Sequence, residues 1–155
     1  MFKDMRRNDR ALPEEELFDI MNQAEYGVLS TVGDDNDPYG VPVNFVFFDD
    51  HIYFHCALTG HKLENIEHNS KVSFCVVADV SLLPDKFSTK YSSVISFGTA
   101  SEVTNPVKKK QVLVKFLEKF SKDFMEEGMN YIEASGAMAK LYQIEVTHMT
   151  AKGRK

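Results

Sequence analysis

Positive charge, cysteine and long apolar runs are all scarce in this chain. Its 18 Lys and Arg face 23 Asp and Glu, for a formal net charge of -5. That balance argues against a broad electrostatic grip on nucleic acid or an anionic membrane, so an anionic ligand has to be held by a local concentration of donors. No stretch approaches the roughly 20 apolar residues of a membrane-spanning helix. The two cysteines, Cys56 and Cys75, are each flanked by apolar residues and read as buried or site-lining thiols, not as a disulfide framework. The charged opening from Met1 to Arg10 has no apolar core of the kind a secretory leader needs, which predicts a cytoplasmic protein. A G-x-S-x-G elbow and a G-x-G-x-x-G fingerprint are also missing. Neither a serine hydrolase nor a resident dinucleotide is expected.

With 155 residues and no repeats or low-complexity linker, the chain suits one domain over residues 1–155. "LPEEELFDIMNQAE" places acids ahead of Leu17, Ile20, Met21 and Ala24 at helical spacing. "YGVLSTVG" and "YGVPVNFVFF" are rich in β-branched and aromatic residues and are parted by the turn formers "DDNDP"; they predict a hairpin. Asp49 and Asp50 then turn the chain into a third antiparallel strand, "HIYFHCA". A two-turn helix capped by Thr59 should carry Leu63 and Ile66 and close near Asn69, ahead of the strand "KVSFCVVA". "DVSLLPDKFSTK" shows no clean period and is expected to be a long loop. "YSSVISFGTASEV" is a strand bent at Gly98, "NPVKKKQVLVKFLEKFSK" a second helix, 131–138 a further helical segment and "AKLYQIEVTHM" the last strand. Short antiparallel strands in meander order with helices between them predict an α+β protein built on a closed or nearly closed β-barrel.

The densest chemistry lies in "YFHCALTGHK", residues 53–62. Thr59 and Gly60 stand where a strand ends and a helix starts, so backbone N–H groups, the positive helix end and Lys62 could together face a phosphate. The same residues also suit a plain helix cap with a solvated lysine, and local chemistry leaves the two readings open. A metal is disfavoured: His55 and Cys56 point to opposite faces of a strand, and His51 and His55 stand roughly 13 Å apart in extended geometry. Nothing near Cys56 or Ser93 marks either as an activated nucleophile.

Taken in order, "MRRNDR", "GVLSTVGDDNDPYGVPVNFVF", "YFHCALTGHKLENIEHNSKVSFCVV" and "LPDKFSTKYSSVISFGTA" resemble the FMN-binding split-barrel proteins related to pyridoxamine 5'-phosphate oxidase. The branch they look most like is the one named for 5-nitroimidazole antibiotic resistance. The resemblance implies a six-stranded antiparallel split β-barrel with flanking helices, forming a homodimer with FMN at the subunit interface. It implies backbone contacts from Pro42, Val43 and Asn44 to the isoalloxazine ring. His55, Cys56 and Ala57 would pass beside ring and ribityl chain, Gly60, His61 and Lys62 would meet the phosphate, and Ser93 with Tyr91 would approach from the next strand. His55 is the catalytic candidate by the same analogy. His61 departs from the oxidase, which carries an arginine there, and the oxidase's substrate-phosphate arginines have no counterpart in "THMTAKGRK". Oxidation of pyridoxamine phosphate is therefore not expected. The activity implied is an NAD(P)H-dependent reductase of small planar acceptors such as nitroaromatics or quinones, NAD(P)H visiting the flavin transiently. The alternative is a non-catalytic protein holding flavin, deazaflavin or haem, with His148 or His55 as iron ligand.

Overall fold

The computed structural model describes residues 2–154. Its main elements in chain order are α1 (Glu14–Gln23), β1 (Tyr26–Val32), β2 (Pro38–Asn44), β3 (Val46–Phe48), β4 (His51–Cys56), α2 (His61–His68), β5 (Lys71–Leu83), β6 (Ser88–Glu102), α3 (Pro106–Phe120), α4 (Met125–Ser135) and β7 (Lys140–Arg154). Local chemistry accounts for most of the boundaries. Glu14, Glu15 and Glu16 complement the positive end of α1. Asp49 and Asp50 both take positive φ, 54° and 56°, which a tight two-residue hairpin needs between β3 and β4. The Asn105 side chain accepts from the Lys108 N–H at 3.0 Å and Pro106 opens α3.

The seven strands form one antiparallel sheet in the order β2-β1-β5-β6-β7-β4-β3. β2 and β3 stand at opposite ends of that order, yet Phe45 alone separates them in the chain. One residue spans about 3.5 Å, so the two ends of the sheet must meet and the sheet must close into a barrel. Phe45 is fully buried at the junction, edge-on to Phe74 with ring centroids 5.0 Å apart. Leu29, Ile52, Phe54, Val76, Val94 and Ile144 fill the interior around them, with Leu17, Ile20 and Met21 of α1 packed into the same core. A second cluster, Val46, Tyr53, Val112, Phe116 and Leu141, lies beneath α3. At Gly98 the β6–β7 register shifts, and a Cβ there would stand 2.3 Å from the Glu145 carbonyl oxygen. Only glycine lets β6 cross β7 so closely.

The expected α+β barrel is present, with four departures. Among the described residues the strands number seven, because Phe45 interrupts what reads as one strand and sends β3 to the other end of the sheet. Residue 60, not Thr59, occupies the N-cap position of α2, and no side chain caps it. The expected loop from Asp79 is instead a β-arm: Ser81, Leu82 and Leu83 pair with Lys90, Thr89 and Ser88 around a short turn at Pro84–Lys86. Its backbone ladder holds it without a buried face, which is why its side chains show no period. The helical segment expected over 131–138 begins earlier, at Met125, and ends in a tighter turn over Gly136–Met138.

Lys119 ties α3 to the barrel junction. Its ammonium donates to the Phe45 carbonyl at 3.0 Å and the Met21 carbonyl at 3.4 Å, and lies 4.2 Å from the centre of the Phe45 ring. Burial pulls its pKa down from 10.5 to about 8, only partly offset by Glu25. Between those values the unfolded chain holds a proton that the folded chain has released, so stability rises with pH. The urea midpoint of the protein relative to Lys119→Met should therefore climb from about pH 8 to about pH 10; midpoints that stay parallel would contradict this account.

Candidate functional site

Barrel closure is incomplete at one place. β3 pairs with residues 51–53 of β4, so the last part of β4, Phe54 to Cys56, has a neighbour only in β7. β2 pairs only with β1 and comes into contact with β4 across this gap. Two strand edges thus face one another without a shared ladder, leaving backbone donors and acceptors for a ligand. Pro42 and Asn44 are exposed on β2, Val43 half-buried between them. The Asn44 side-chain amide donates to the Glu25 carbonyl at 2.9 Å, which fixes this end of β2.

Beside the gap lies a groove of about 860 Å³, lined by Asn44, His55, Cys56 and Ala57 on the barrel side and by residues of α3, α4 and the turn after it on the other. Its size is within the range of small-molecule sites. Phe116 meets His55 edge-on, ring centroids 4.9 Å apart, while the rest of the imidazole is exposed to the groove. Desolvation holds the His55 pKa below that of an ordinary histidine, so the ring is neutral at neutral pH and has one nitrogen able to accept a proton. Burial pushes the Cys56 thiol up, with Lys62 and Lys140 opposing. It donates weakly to the Lys140 carbonyl at 3.8 Å and is not an activated nucleophile.

The N-terminal end of α2 lies near this region. Gly60 adopts φ 150°, a backbone state that side chains other than glycine's rarely take, and nothing lies within 4 Å of where its Cβ would stand. It leaves an open approach to the first N–H groups of α2. Lys62 and Lys140 both act on Cys56, with Glu102 opposing them, so two cations and one carboxylate sit near this strand end. His61 is turned elsewhere: its ring packs on Tyr39 at 4.0 Å and shares a pocket with Asp34, Asp35, Glu64 and Glu67. Nothing in the sequence singles out the apolar groove wall of Leu113, Phe116, Phe120, Tyr131 and Met138, nor Lys140 in the pocket that adjoins it. The spacing of Phe116 and Phe120 did mark an apolar helix face; that the face divides between core and groove shows only in three dimensions.

Tyr91 and Ser93 do not join the groove within one chain. They pair with Arg154 and Lys152 near the end of β7, whereas His55 and Cys56 pair with Leu141 and Lys140 at its start. Ten residues of the strand, 142–151, lie between these positions. Ser93 is buried and its hydroxyl donates to the Lys152 carbonyl at 3.5 Å. His148 is also outside the groove, its ring stacked on Phe2 at 4.6 Å. Among the described residues, no three His, Cys, Asp or Glu side chains gather as a metal-binding set, and no helix is long and apolar enough to cross a membrane.

A flavin fits this arrangement on chemical grounds: a groove with aromatic walls, an unpaired strand edge for polar ring atoms and, adjoining it, the open N-terminal end of α2 with Lys62 in its first turn, where Glu64, Glu67 and Glu102 line the same pocket as Lys140. Solved structures share the fold at low sequence identity. A conserved hypothetical protein from Mycobacterium tuberculosis superposes with TM-score 0.82 at 19% identity, over 97% of this chain and 90% of its own. A candidate 5-nitroimidazole antibiotic resistance protein from Bacteroides thetaiotaomicron gives 0.75 at 20% identity, covering 91% and 84%. HutZ, the haem storage protein of Vibrio cholerae, gives 0.65 at 18% identity, covering 90% and 94%. No curated protein matches the sequence. The sequence profile of the pyridoxamine 5'-phosphate oxidase family spans residues 13–153, nearly the whole barrel and its helices, and the chain belongs to that family.

Proposed function

We propose that the protein is an FMN-binding homodimer that uses NADH or NADPH to reduce small planar acceptors such as nitroaromatics or quinones. The observation carrying this reading is the groove in which the open edge of β4 meets an aromatic wall, with a second pocket adjoining it at Leu58 where Gly60 opens α2 and Lys140 stands beside it. When bound, the flavin supplies hydride acceptance and electron transfer to the acceptor. The chain supplies everything around it. β2 offers backbone groups at Pro42, Val43 and Asn44, Pro42 giving a carbonyl only. Gly60 and Lys62 hold the phosphate, assisted by Lys140, and His61 adds charge there only if it swings from Tyr39. Cys56 and Ala57 shape the wall, and the neutral His55 imidazole holds or takes a proton at the edge of the groove.

The homodimer rests on two features. Tyr26, Val28, Val77, Ile95 and Phe97 are large apolar side chains exposed on the outer face of β1, β5 and β6, where Val28, Cys75 and Ile95 are direct neighbours across the three strands. Such a contiguous stripe suits burial against a second copy. Tyr91 lies on the same β6, outside its own groove and half-exposed, where it would approach a flavin held by the partner, while Ser93, buried against Lys152 in its own chain, would position that strand.

The test is to incubate the purified protein with FMN and follow visible absorbance through gel filtration. Flavin bands travelling with a dimer-sized peak, and bleached by NADH or NADPH, are the expected result. His55→Ala should keep the bands and lower turnover at least about a hundredfold if the imidazole transfers a proton. A colourless protein would overturn the reading, and a haem Soret band in its place would make this a haem-binding protein.

A further inference from the structure

We infer that Arg10, Tyr91 and Lys152 form an anion-binding subsite that takes the carboxylate of a small organic acid. The chain as a whole is acidic, but its basic residues are unevenly placed. Arg7 and Arg10 lie ahead of α1, and the segment carrying them is fastened to β7 by the Ala11–Lys152 bridge and by the Leu12 N–H donating to the Ala151 carbonyl at 3.0 Å. Arg154 stands opposite Tyr91 in the β6–β7 ladder. Two ends of the sequence are thus brought to one tyrosine.

The charges there are not equally satisfied. Arg7 is neutralised by a two-pronged pair with Asp9, at 2.8 and 2.5 Å. Arg10 and Lys152 have no carboxylate within ion-pair distance among the described residues. Both instead lie at Tyr91, the Lys152 ammonium 5.8 Å from its ring centre, and Asp9, whose carboxylate is taken up by Arg7, offsets the Arg10 charge only from a distance. Burial would raise the phenol's pKa, but the Arg10 and Lys152 donors outweigh it and lower it. A neutral hydroxyl cannot cancel two cations held close together. An incoming carboxylate does so, with Arg10 able to bind it through two parallel N–H bonds and the Tyr91 hydroxyl supplying a further donor. Half-burial of all three side chains strengthens each contact relative to open water.

The ligand's identity rests on the proposed function: with Tyr91 reaching the partner's flavin, the acid is the electron acceptor, and the subsite selects acidic planar acceptors over neutral ones. A phosphate offers the same chemistry, and FMN's own phosphate is the competing occupant. Isothermal titration with benzoate as probe, on FMN-loaded and flavin-free protein, separates these cases when paired with FMN titrations followed by fluorescence. Benzoate should bind the native protein, and Arg10→Gln combined with Lys152→Gln should weaken it by about tenfold or more, while FMN affinity changes less than about twofold; Arg10→Lys alone should fall between the two, keeping the charge and losing the two-pronged contact. Benzoate that fails to bind, or binds the double variant equally well, overturns the subsite. An FMN affinity that falls as far as the benzoate affinity assigns the cluster to the cofactor's phosphate and overturns the carboxylate reading. If the protein takes up no FMN, the flavin-free titration still decides the subsite, so its failure is distinct from that of the reductase reading.

Discussion

Lys62→Ala is expected to weaken FMN binding by about 1–3 kcal/mol, roughly five- to more than a hundredfold in Kd. The argument is electrostatic. The chain carries a formal charge of -5, and a phosphate dianion is repelled unless positive charge is concentrated where it binds. Lys62 is the cation in the first turn of α2, close enough to Cys56 to oppose the rise that burial gives that thiol's pKa. The unpartnered N–H groups of the same turn add the helix dipole, which Gly60 leaves approachable. A fluorescence titration of FMN at low and high salt reads the loss. The native Kd should rise with ionic strength more steeply than the variant's, because the variant has lost a charge to be screened. Lys140→Ala should have a smaller effect, since the helix end does not reinforce it. An unchanged Kd for Lys62→Ala would return that residue to the solvated surface and remove the phosphate from this end of the barrel.

Phe45→Ala is expected to destabilise the fold by about 3–5 kcal/mol, the range for removing a large aromatic from a packed core. Phe45 has no exposed surface, packs edge-on against Phe74, and lies under the Lys119 ammonium. It is also the one residue that carries the chain from one end of the sheet to the other. The cavity would open beneath the gap between β2 and β4, so loss of stability and loss of flavin affinity should appear together. Urea unfolding of the apo protein measures the first independently of the ligand. Phe45→Leu should recover part of the loss. A Phe45→Ala midpoint close to the native one would mean that the junction is held by the backbone and by Lys119 rather than by the ring.

Much of the barrel was legible because its strands are half-buried and their alternation is local. The hairpin of β1 and β2, the Asp49–Asp50 turn and the apolar face of α3 each depend on residues close in sequence. The β-arm was not legible, since Val80, Leu82 and Phe87 are exposed and carry no burial pattern, Phe87 being 98% exposed. The seventh strand was missed for a different reason: "VPVNFVFF" is extended throughout, and nothing local says that Phe45 hands the chain to the opposite end of the sheet. In the candidate site, His55, Gly60 and Lys62 are proposed from their short spacing and a family resemblance. Lys140 and the aromatic wall stood far along the chain and had no such spacing.

The sequence alone determined that this is a family barrel of alternating strands, that its charge must be concentrated to hold an anion, and that "TGHK" opens a helix. Those properties follow from composition, periodicity and neighbouring residues. Tertiary structure decided where the barrel stays open, which cations meet at Cys56, and that Tyr91 and Ser93 lie near one end of β7 while His55 lies at the other. These depend on strand order and register, which pair residues scores of positions apart and are set by the packing of the whole core.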